Sequence, residues 1–250
     1  MMKRNIIPVI LMLAALVCTS CEFLEECLSG DGNIETEERL GATFTEVQCE
    51  GEFPVRIENS ETISVLVTTD ANLQRKLETT VNNGKLTIRT NHDGCIDYSS
   101  ATEVVVKCPT LTSVSQLGSG TVEVFNFNSA FFEITQAGSG VVRVSNLSVA
   151  NTLEANLIGS GDIWLNGRSQ SAIFELSGSG SIDAESFRVF ECEAMLSGSG
   201  NIHTFVYDQL NATISGSGSG NIYYYGNPEQ VVKNEYGSGQ IINRSSTMTN

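Results

Sequence analysis

The chain is 250 residues long and acidic, with 14 lysine and arginine residues against 29 aspartate and glutamate residues and a formal net charge of −15. Such a charge argues against nucleic acid or an anionic membrane surface as a partner. The two histidines, His92 and His203, share no short spacing with cysteines. We therefore predict no zinc site, no other metal and no cofactor.

The N-terminus has the layout of a secretory signal peptide. Lys3 and Arg4 precede an apolar run over residues 6–17. As a helix this run would be about 18 Å long, which is too short for a hydrocarbon core of about 30 Å. We predict a signal peptide over residues 1–20.

The signal peptide ends in a sequence that resembles a bacterial lipobox. Small Thr19 and Ser20 directly precede Cys21, which we predict to be the lipidated residue. Cys18 and Cys21 also form a C-x-x-C pair, but that pair closes a signal sequence and lies in no strand–helix context, so a redox or metal motif is disfavoured. More than one acyl chain would attach the protein stably to the membrane.

Residues 21–30 are predicted to be a lipidated tether. Glu22, Glu25 and Glu26 follow the anchor. They resemble the surface-export signal of Bacteroidetes lipoproteins and fit a solvated acidic tether equally well. We predict an outer-membrane lipoprotein on the cell surface or the periplasmic face.

Five cysteines remain after the anchor: Cys27, Cys49, Cys95, Cys108 and Cys192. The cell envelope permits disulfides. An odd number leaves at least one thiol unpaired, and the spacing does not predict the pairing.

Residues 31–116 are predicted to form an N-terminal β cap. They contain strand-like runs at 53–58, 63–69 and 104–108, and the sequence Asn82-Asn83-Gly84-Lys85 is a strong hairpin signal. One short helical turn is expected within residues 71–77. A cap is needed because the open end of a β stack invites edge-to-edge aggregation.

Residues 117–250 contain a regular repeat. Gly-Ser-Gly begins at positions 118, 138, 159, 178, 198, 218 and 237. A flexible linker can contain this triplet, but the segments between the triplets are rich in β-branched and aromatic residues. The repeat predicts an all-β fold, a parallel β-helix or β-solenoid with coils of about 20 residues stacked on one another. Glycine is expected at each corner because it accepts positive φ and lets stacked backbones approach closely.

Aligned on the triplets, the coils show apolar columns that predict the core. The second and fourth residues after a triplet lie on one face of a strand, and the second, fourth and sixth residues before it lie on one face of another. The second-position column is Val122, Val142, Ile163, Ile182, Ile202, Ile222 and Ile241. The residues expected to fill the bend between the two strands are Phe127, Leu147, Phe187 and Tyr207. Asn201 and Asn221 follow triplets in adjacent coils and predict a short amide ladder.

Taken together, these features resemble the putative auto-transporter adhesin, head GIN domain family of Bacteroidetes lipoproteins. The matching segments are residues 30–34, residues 44–47 through 53–57, residues 83–88, and Gly-Ser-Gly-Asn-Ile at positions 198 and 218. The resemblance implies a right-handed β-helix-like fold and an adhesion or surface-binding role, with no catalytic residues. Cys49-Glu50-Gly51 departs from the serine-glycine turn that the family often has there.

The third and fifth residues after each triplet are predicted to point outward. Aromatic residues in these positions lie beside carboxylates on coils about 4.8 Å apart. Exposed aromatics next to carboxylates suit the stacking and hydrogen bonding of sugar rings. The alternative is a face that packs on a partner chain, or a plain surface of good strand formers. The candidate strip is Trp164, Asp183, Glu185, His203, Phe205, Tyr223 and Tyr225.

Asp183 and Glu185 are two residues apart on one strand, so their Cα atoms should lie about 6.6 Å apart on one face. A glycoside hydrolase pair can use such a spacing. We expect no basic residue, third carboxylate or aligned histidine beside them to raise a pKa. A solvated acidic edge is therefore favoured, and we predict no catalytic residues.

Three functions are compatible with these patterns. The first is a non-catalytic, adhesin-like module that is attached to the membrane by its lipid and binds a glycan or a protein. The second is a structural envelope protein that forms homo-oligomers through its tyrosine-rich last coils. The third, a polysaccharide-active enzyme, is the least favoured.

Overall fold

The computed structural model describes residues 27–39 and 42–245. The predicted signal peptide and Cys21 lie outside these residues. The described chain is all-β, with one 3-10 turn at Gln74–Lys76, and it contains no helix long and apolar enough to cross a membrane. The strands are β1 (Leu28–Ser29), β2 (Ile34–Arg39), β3 (Glu46–Glu50), β4 (Val55–Asn59), β5 (Ser64–Asp70), β6 (Leu77–Asn82), β7 (Lys85–Thr90), β8 (Ile96–Asp97), β9 (Glu103–Cys108), β10 (Ser113–Gln116), β11 (Thr121–Phe125), β12 (Asn128–Gln136), β13 (Val141–Leu157), β14 (Asp162–Leu176), β15 (Ser181–Leu196), β16 (Asn201–Ile214), β17 (Ile222–Tyr225), β18 (Gln230–Glu235) and β19 (Ile241–Asn243).

Strands β10 to β19 wind into a stack of parallel coils. Val142 pairs with Ile163, and Ile163 pairs in turn with Ile182 one coil further on. The long strands β13 to β16 each run around most of one coil, with register shifts at the bends. The predicted β-solenoid with coils of about 20 residues is confirmed.

The predicted apolar columns form the interior of the stack. All members of the second-position column are buried, with at most 4% of any side chain exposed. The columns before the triplets are buried as well, from Ile134 and Ala155 to Phe174 and Ala194. Two coils place glutamine in an inward position, and there Nε2 of Gln116 donates to the carbonyl oxygen of Gly120 at 2.7 Å. The side-chain N–H of each glutamine thus meets a corner carbonyl, whereas Oε1 of Gln116 and Gln136 is buried with no partner among the described residues.

Only one of the two expected reasons for glycine at the corners is correct. Positive φ values occur at Gly32, Gly84, Gly94, Gly167 and Gly226, and at none of the triplet glycines. Close approach is what excludes a side chain. A Cβ on any triplet glycine from position 118 to 200 would lie within 2.3 Å of a backbone oxygen in the neighbouring coil.

The bend between the strands of a coil is filled as predicted in three coils and differently in a fourth. Phe127, Leu147 and Phe187 are buried, but Tyr207 is 47% exposed, so its predicted place in the bend is wrong. In β16 the register passes from the Ala184–Thr204 pair directly to Arg188–Phe205, which leaves no counterpart of Phe187. Val206, which pairs with Val189, is buried in this coil.

The stack continues past the first triplet into the predicted cap region, but out of chain order. Strands β3 and β4 pair in parallel with β10 and β11, while β7 and β9 pair in parallel with β3 and β4 on the other side. Residues 85–108 therefore form a coil beyond residues 46–59. Gly51 stands at the corner, where its carbonyl oxygen accepts a hydrogen bond from the amide of Gly120 at 3.0 Å.

Antiparallel strands close this end of the stack. Strand β6 pairs with β7 through the predicted hairpin, in which Asn83 and Gly84 both have positive φ. Strand β5 pairs antiparallel with β9, and β2 with β5. The parallel edge is thereby covered by strands of opposite direction, which blocks further coils.

A disulfide joins Cys27 to Cys95. Beside it, Leu28 and Ser29 pair in parallel with Ile96 and Asp97. Cys49, Cys108 and Cys192 are buried free thiols. The chain thus enters the folded body at the cap end.

The last coil ends the core with charged residues. Lys233 and Glu235 of β18 occupy the register positions of Ala212 and Ile214, which are inward in the preceding coil. Lys233 Nζ donates to the carbonyl oxygen of Ile241 at 2.8 Å, and Glu235 Oε1 accepts from the amide of Ile241 at 2.6 Å. Charged groups in these positions oppose the stacking of another coil.

Candidate functional site

Four members of the predicted strip form one row across adjacent coils. Trp164 pairs with Asp183, Asp183 with His203, and His203 with Tyr223. The burial pattern alternates along each strand, so these side chains lie outside the core. The row is continuous because each coil contributes the third residue after its triplet.

The second predicted row is broken at Glu185. Phe205 and Tyr225 are register partners, but the partner of Phe205 in the preceding coil is Arg188. Glu185 lies in the segment of β15 that has no counterpart in β16. The shorter bend of β16 is again the cause, since it displaces the register after Thr204.

Glu185 is held by two members of the strip. Nδ1 of His203 lies 2.9 Å from Glu185 Oε1, and the hydroxyl of Tyr225 donates to the same oxygen at 2.5 Å. Burial, followed by the hydrogen bond to Glu185, raises the pKa of Tyr225 well above its usual range. The His203 ring lies 4.7 Å from Tyr223 and stacks on Tyr225 at 6.4 Å. These side chains form one packed polar and aromatic cluster.

The expectation that no histidine joins the carboxylates is therefore wrong for Glu185. When the coils are aligned on their triplets, His203 lies one coil away from Glu185 and two positions earlier. The register shift in β16 brings the two side chains together. Asp183 is occupied differently, because its Oδ1 accepts the amide of Glu185 at 3.2 Å. Among the described residues, no group of three histidine, cysteine, aspartate or glutamate side chains is placed to hold a metal ion.

Trp164 is the most exposed member of the strip, with 47% of its side chain accessible, whereas the other six members are only partly exposed. It borders a shallow groove of about 300 Å³. The polar residues that line this groove with it are Arg143, Ser145, Asn166, Asp183, Glu185 and Ser186. An aromatic ring beside amide, hydroxyl and carboxylate groups can contact both the apolar face and the hydroxyls of a sugar.

A second outward cluster was missed by the sequence analysis. Tyr207 lies 5.6 Å from Phe190 and 5.1 Å from Phe205, and the guanidinium of Arg188 lies 3.7 Å over the Phe205 ring. The available signal was the aromatic character of Phe190 and Tyr207, but alignment from the triplets assigned Tyr207 to the bend.

The asparagines after the triplets have a structural role, but their side chains bond to the backbone of the next coil and form no side-chain amide ladder among the described residues. Asn201 Oδ1 accepts the backbone amide of Asn221 at 3.0 Å, and Asn221 Oδ1 accepts that of Gln240 at 2.9 Å. Asp162 does the same for Ser181 at 2.8 Å. These side chains join successive corners.

The sequence of residues 43–228 matches the model of the family described as putative auto-transporter adhesin, head GIN domain. The chain belongs to this family. The matched residues include the whole candidate strip and the second cluster.

Solved structures share the fold of this GIN domain protein. A putative adhesin from Bacteroides fragilis is 21% identical and has a TM-score of 0.80, over 86% of this chain and 99% of that one. A putative lipid binding protein from Parabacteroides distasonis is 26% identical with a TM-score of 0.69, over 87% and 100%. A putative adhesin from Parabacteroides merdae is 21% identical with a TM-score of 0.62, over 87% and 99%. Among curated proteins, none matches the chain.

Proposed function

We propose that this GIN domain protein is a non-catalytic, adhesin-like module of the cell envelope that binds a glycan in the groove beside Trp164. The family description supports an adhesive role, and two of the solved structures with this fold are named putative adhesins. The observation that carries the glycan proposal is the half-exposed Trp164 ring at a groove rimmed by Asp183, Asn166 and Arg143.

The stack suits such a role because it presents the groove on a rigid surface. Arg143, Trp164 and Asp183 come from three successive coils and are held in register by the parallel ladder. Sites on regular elements keep their geometry better than sites on loops. A ligand therefore orders little of the protein when it binds, which favours affinity.

Attachment through a lipid on Cys21 is part of the proposal. The residues between Cys21 and Cys27 can span at most about 20 Å. Because Cys27 is joined to Cys95 at the cap end, this end of the stack would lie close to an outer membrane. Protease treatment of intact cells tests on which side of the outer membrane the protein lies. Digestion before lysis supports a surface adhesin, and protection until lysis contradicts that role.

Replacing Trp164 with alanine tests the groove. We expect the wild-type protein to bind a subset of neutral glycans on an array, and Trp164→Ala to weaken that binding about tenfold or more, as expected for a central aromatic contact. Phe131→Ala is a matched control, because Phe131 is 61% exposed on another strand segment. Equal binding by wild type and Trp164→Ala, at equal melting temperature, would contradict the proposal.

A non-catalytic role is consistent with the contacts of the two carboxylates. Glu185 accepts from Tyr225 and Asp183 accepts a backbone amide, so both carboxylates have protein partners. Turnover of a polysaccharide that disappears in Asp183→Asn would instead favour an enzyme.

Self-association is the second candidate, and the C-terminal coil favours it. Val231, Val232 and Tyr236 are exposed there, Tyr236 by 72%. Lys233 and Glu235 oppose self-association through this end, because they stand where the apolar column would continue. Oligomers that grow with concentration, without glycan binding, would favour this candidate over the first.

A further inference from the structure

A second groove lies on the next outward segment of the coils, around Arg168 and Arg188. These two arginines are register partners on β14 and β15. Parallel strands place such partners about 4.8 Å apart. Two arginine residues therefore lie next to each other on adjacent coils of a protein in which acidic residues outnumber basic residues by about two to one.

In the part of the chain that the structure describes, no carboxylate neutralises either arginine. The ion pairs formed among the described residues involve neither side chain. Arg168 Nε donates to the hydroxyl of Ser148 at 3.2 Å, and Arg188 lies over the Phe205 ring. Nη1 of Arg188 is buried and has no hydrogen-bond partner among the described residues. That nitrogen is covered by protein atoms, but Arg168 is exposed and Arg188 is partly exposed, so the accessible N–H groups of the two side chains can hold an oxyanion in the groove.

The groove also has an aromatic wall. It encloses about 480 Å³, and Phe190 and Tyr207 line it together with both arginines, Ser148 and Gln170. Phe190 and Tyr207 are each about half exposed, and their rings lie 5.6 Å apart. Aromatic side chains left exposed beside an anion clamp can pack on the ring of a ligand whose charged group the clamp holds.

We propose that this groove binds a sugar residue that carries an oxyanion, a carboxylate or a sulfate ester. Arg168 and Arg188 hold the oxyanion, and Phe190 and Tyr207 contact the sugar ring. The inference rests on the proposed function and adds the acidic class of glycan to it. Phe205 contacts both Arg188 and Tyr207 and pairs with Tyr225, so the two grooves lie on adjoining faces of the same coils.

The acidic body narrows the ligand further. A net charge of −15 repels a densely charged polyanion at long range, while the two arginines attract one oxyanion at short range. A glycan with one acidic group per sugar or fewer is therefore favoured over a heavily sulfated one.

The test compares oligogalacturonate, a chondroitin sulfate oligosaccharide, heparin and a neutral dextran oligosaccharide by titration calorimetry. We expect one of the first two to bind, heparin to bind more weakly, and Arg168→Gln/Arg188→Gln to weaken the binding at least tenfold. Arg75→Gln/Lys76→Gln removes the same charge from the 3-10 turn of the cap and should leave affinity within twofold. Arg168→Lys/Arg188→Lys keeps the charge but loses the planar fork. Its affinity should therefore lie between that of the wild type and that of the glutamine variant.

Several outcomes would overturn the inference. One is no binding of any acidic oligosaccharide; another is equal affinity in wild type and Arg168→Gln/Arg188→Gln at equal melting temperature. Arginine-dependent binding to phosphatidylglycerol vesicles with no binding of the oligosaccharides would assign the groove to a lipid headgroup. The Trp164→Ala variant separates the two proposals: acidic glycan binding that needs the arginines but not Trp164 supports this groove even where the Trp164 groove fails.

Discussion

At the scale of single residues, the corner glycines set how closely the coils stack. Each triplet glycine faces a carbonyl oxygen of the neighbouring coil, and a Cβ on Gly200 would lie 1.6 Å from the oxygen of Gly180. The backbone at these corners needs no positive φ. The absence of a side chain, more than backbone freedom, is therefore what the repeat requires at this position.

Two alanine substitutions in neighbouring corners test whether crowding by the next coil is what requires glycine. Gly200→Ala should lower the free energy of unfolding by about 3 kcal/mol or more, because two backbones must move apart. At Gly216 the nearest atom to a Cβ, the oxygen of Tyr236, is 3.8 Å away. Gly216→Ala should change stability by less than about 1 kcal/mol. Urea unfolding followed by circular dichroism measures both, and equal losses would show that crowding at the corner is unimportant.

At the scale of strands, the sequence predicted those elements whose signal is local. The repeat placed the apolar columns from Val122 to Ile241, and Asn83-Gly84 placed the hairpin, because strand alternation and turn chemistry act within a few residues. The prediction for Tyr207 was wrong, because the coil that contains β16 has fewer residues at its bend than the coil that contains β15. The corner that follows β16 has more residues, so the spacing between triplets stays near 20 and conceals both differences.

Pairings between strands that are distant in the chain could not be predicted from the sequence, for a different reason. Nothing local indicates that β3 pairs with β7 on one side and β10 on the other. The contact between His203 and Glu185, and the pairing of Cys27 with Cys95, depend equally on register between distant segments. In the candidate site, the row from Trp164 to Tyr223 was predictable, while the arginine groove was not.

The strand that ends the stack provides a prediction at the same scale. Lys233→Val/Glu235→Val would continue the inward column of Ala212 and Ile214 onto the open end. We expect this variant to associate end to end, because an apolar column next to unpaired backbone groups is a template for another coil. Light scattering after size exclusion should show a larger mass than wild type at equal concentration.

Asn234→Val is the matched control for that variant. Asn234 lies between the two charged residues but alternates to the other side, where its side chain donates to the hydroxyl of Thr213. It adds an apolar group without extending the inward column. If both variants associate equally, general hydrophobicity and not the column is responsible.

At the scale of the whole molecule, the core is one continuous cluster from Phe44 to Ile241. No coil has a core of its own, so the stack should unfold as a unit or in large blocks. The three free thiols report on this, because Cys49 and Cys108 lie in strands near the cap and Cys192 lies in β15. Burial raises the pKa of each thiol from about 9.0 to about 12.

These thiols predict a loss of stability at alkaline pH. Between about pH 9 and 12 the folded state keeps thiol protons that the unfolded state releases, so the free energy of unfolding falls as pH rises, by up to about 1.4 kcal/mol per pH unit for each thiol. Urea midpoints at pH 8, 9 and 10 should decline, and less steeply in Cys192→Ala.

Iodoacetamide labelling at pH 8 should be slow until urea unfolds the stack. If unfolding is cooperative, all three thiols become reactive at the same urea concentration; reaction of Cys192 ahead of Cys49 and Cys108 would show instead that the coils separate from the cap before the cap unfolds.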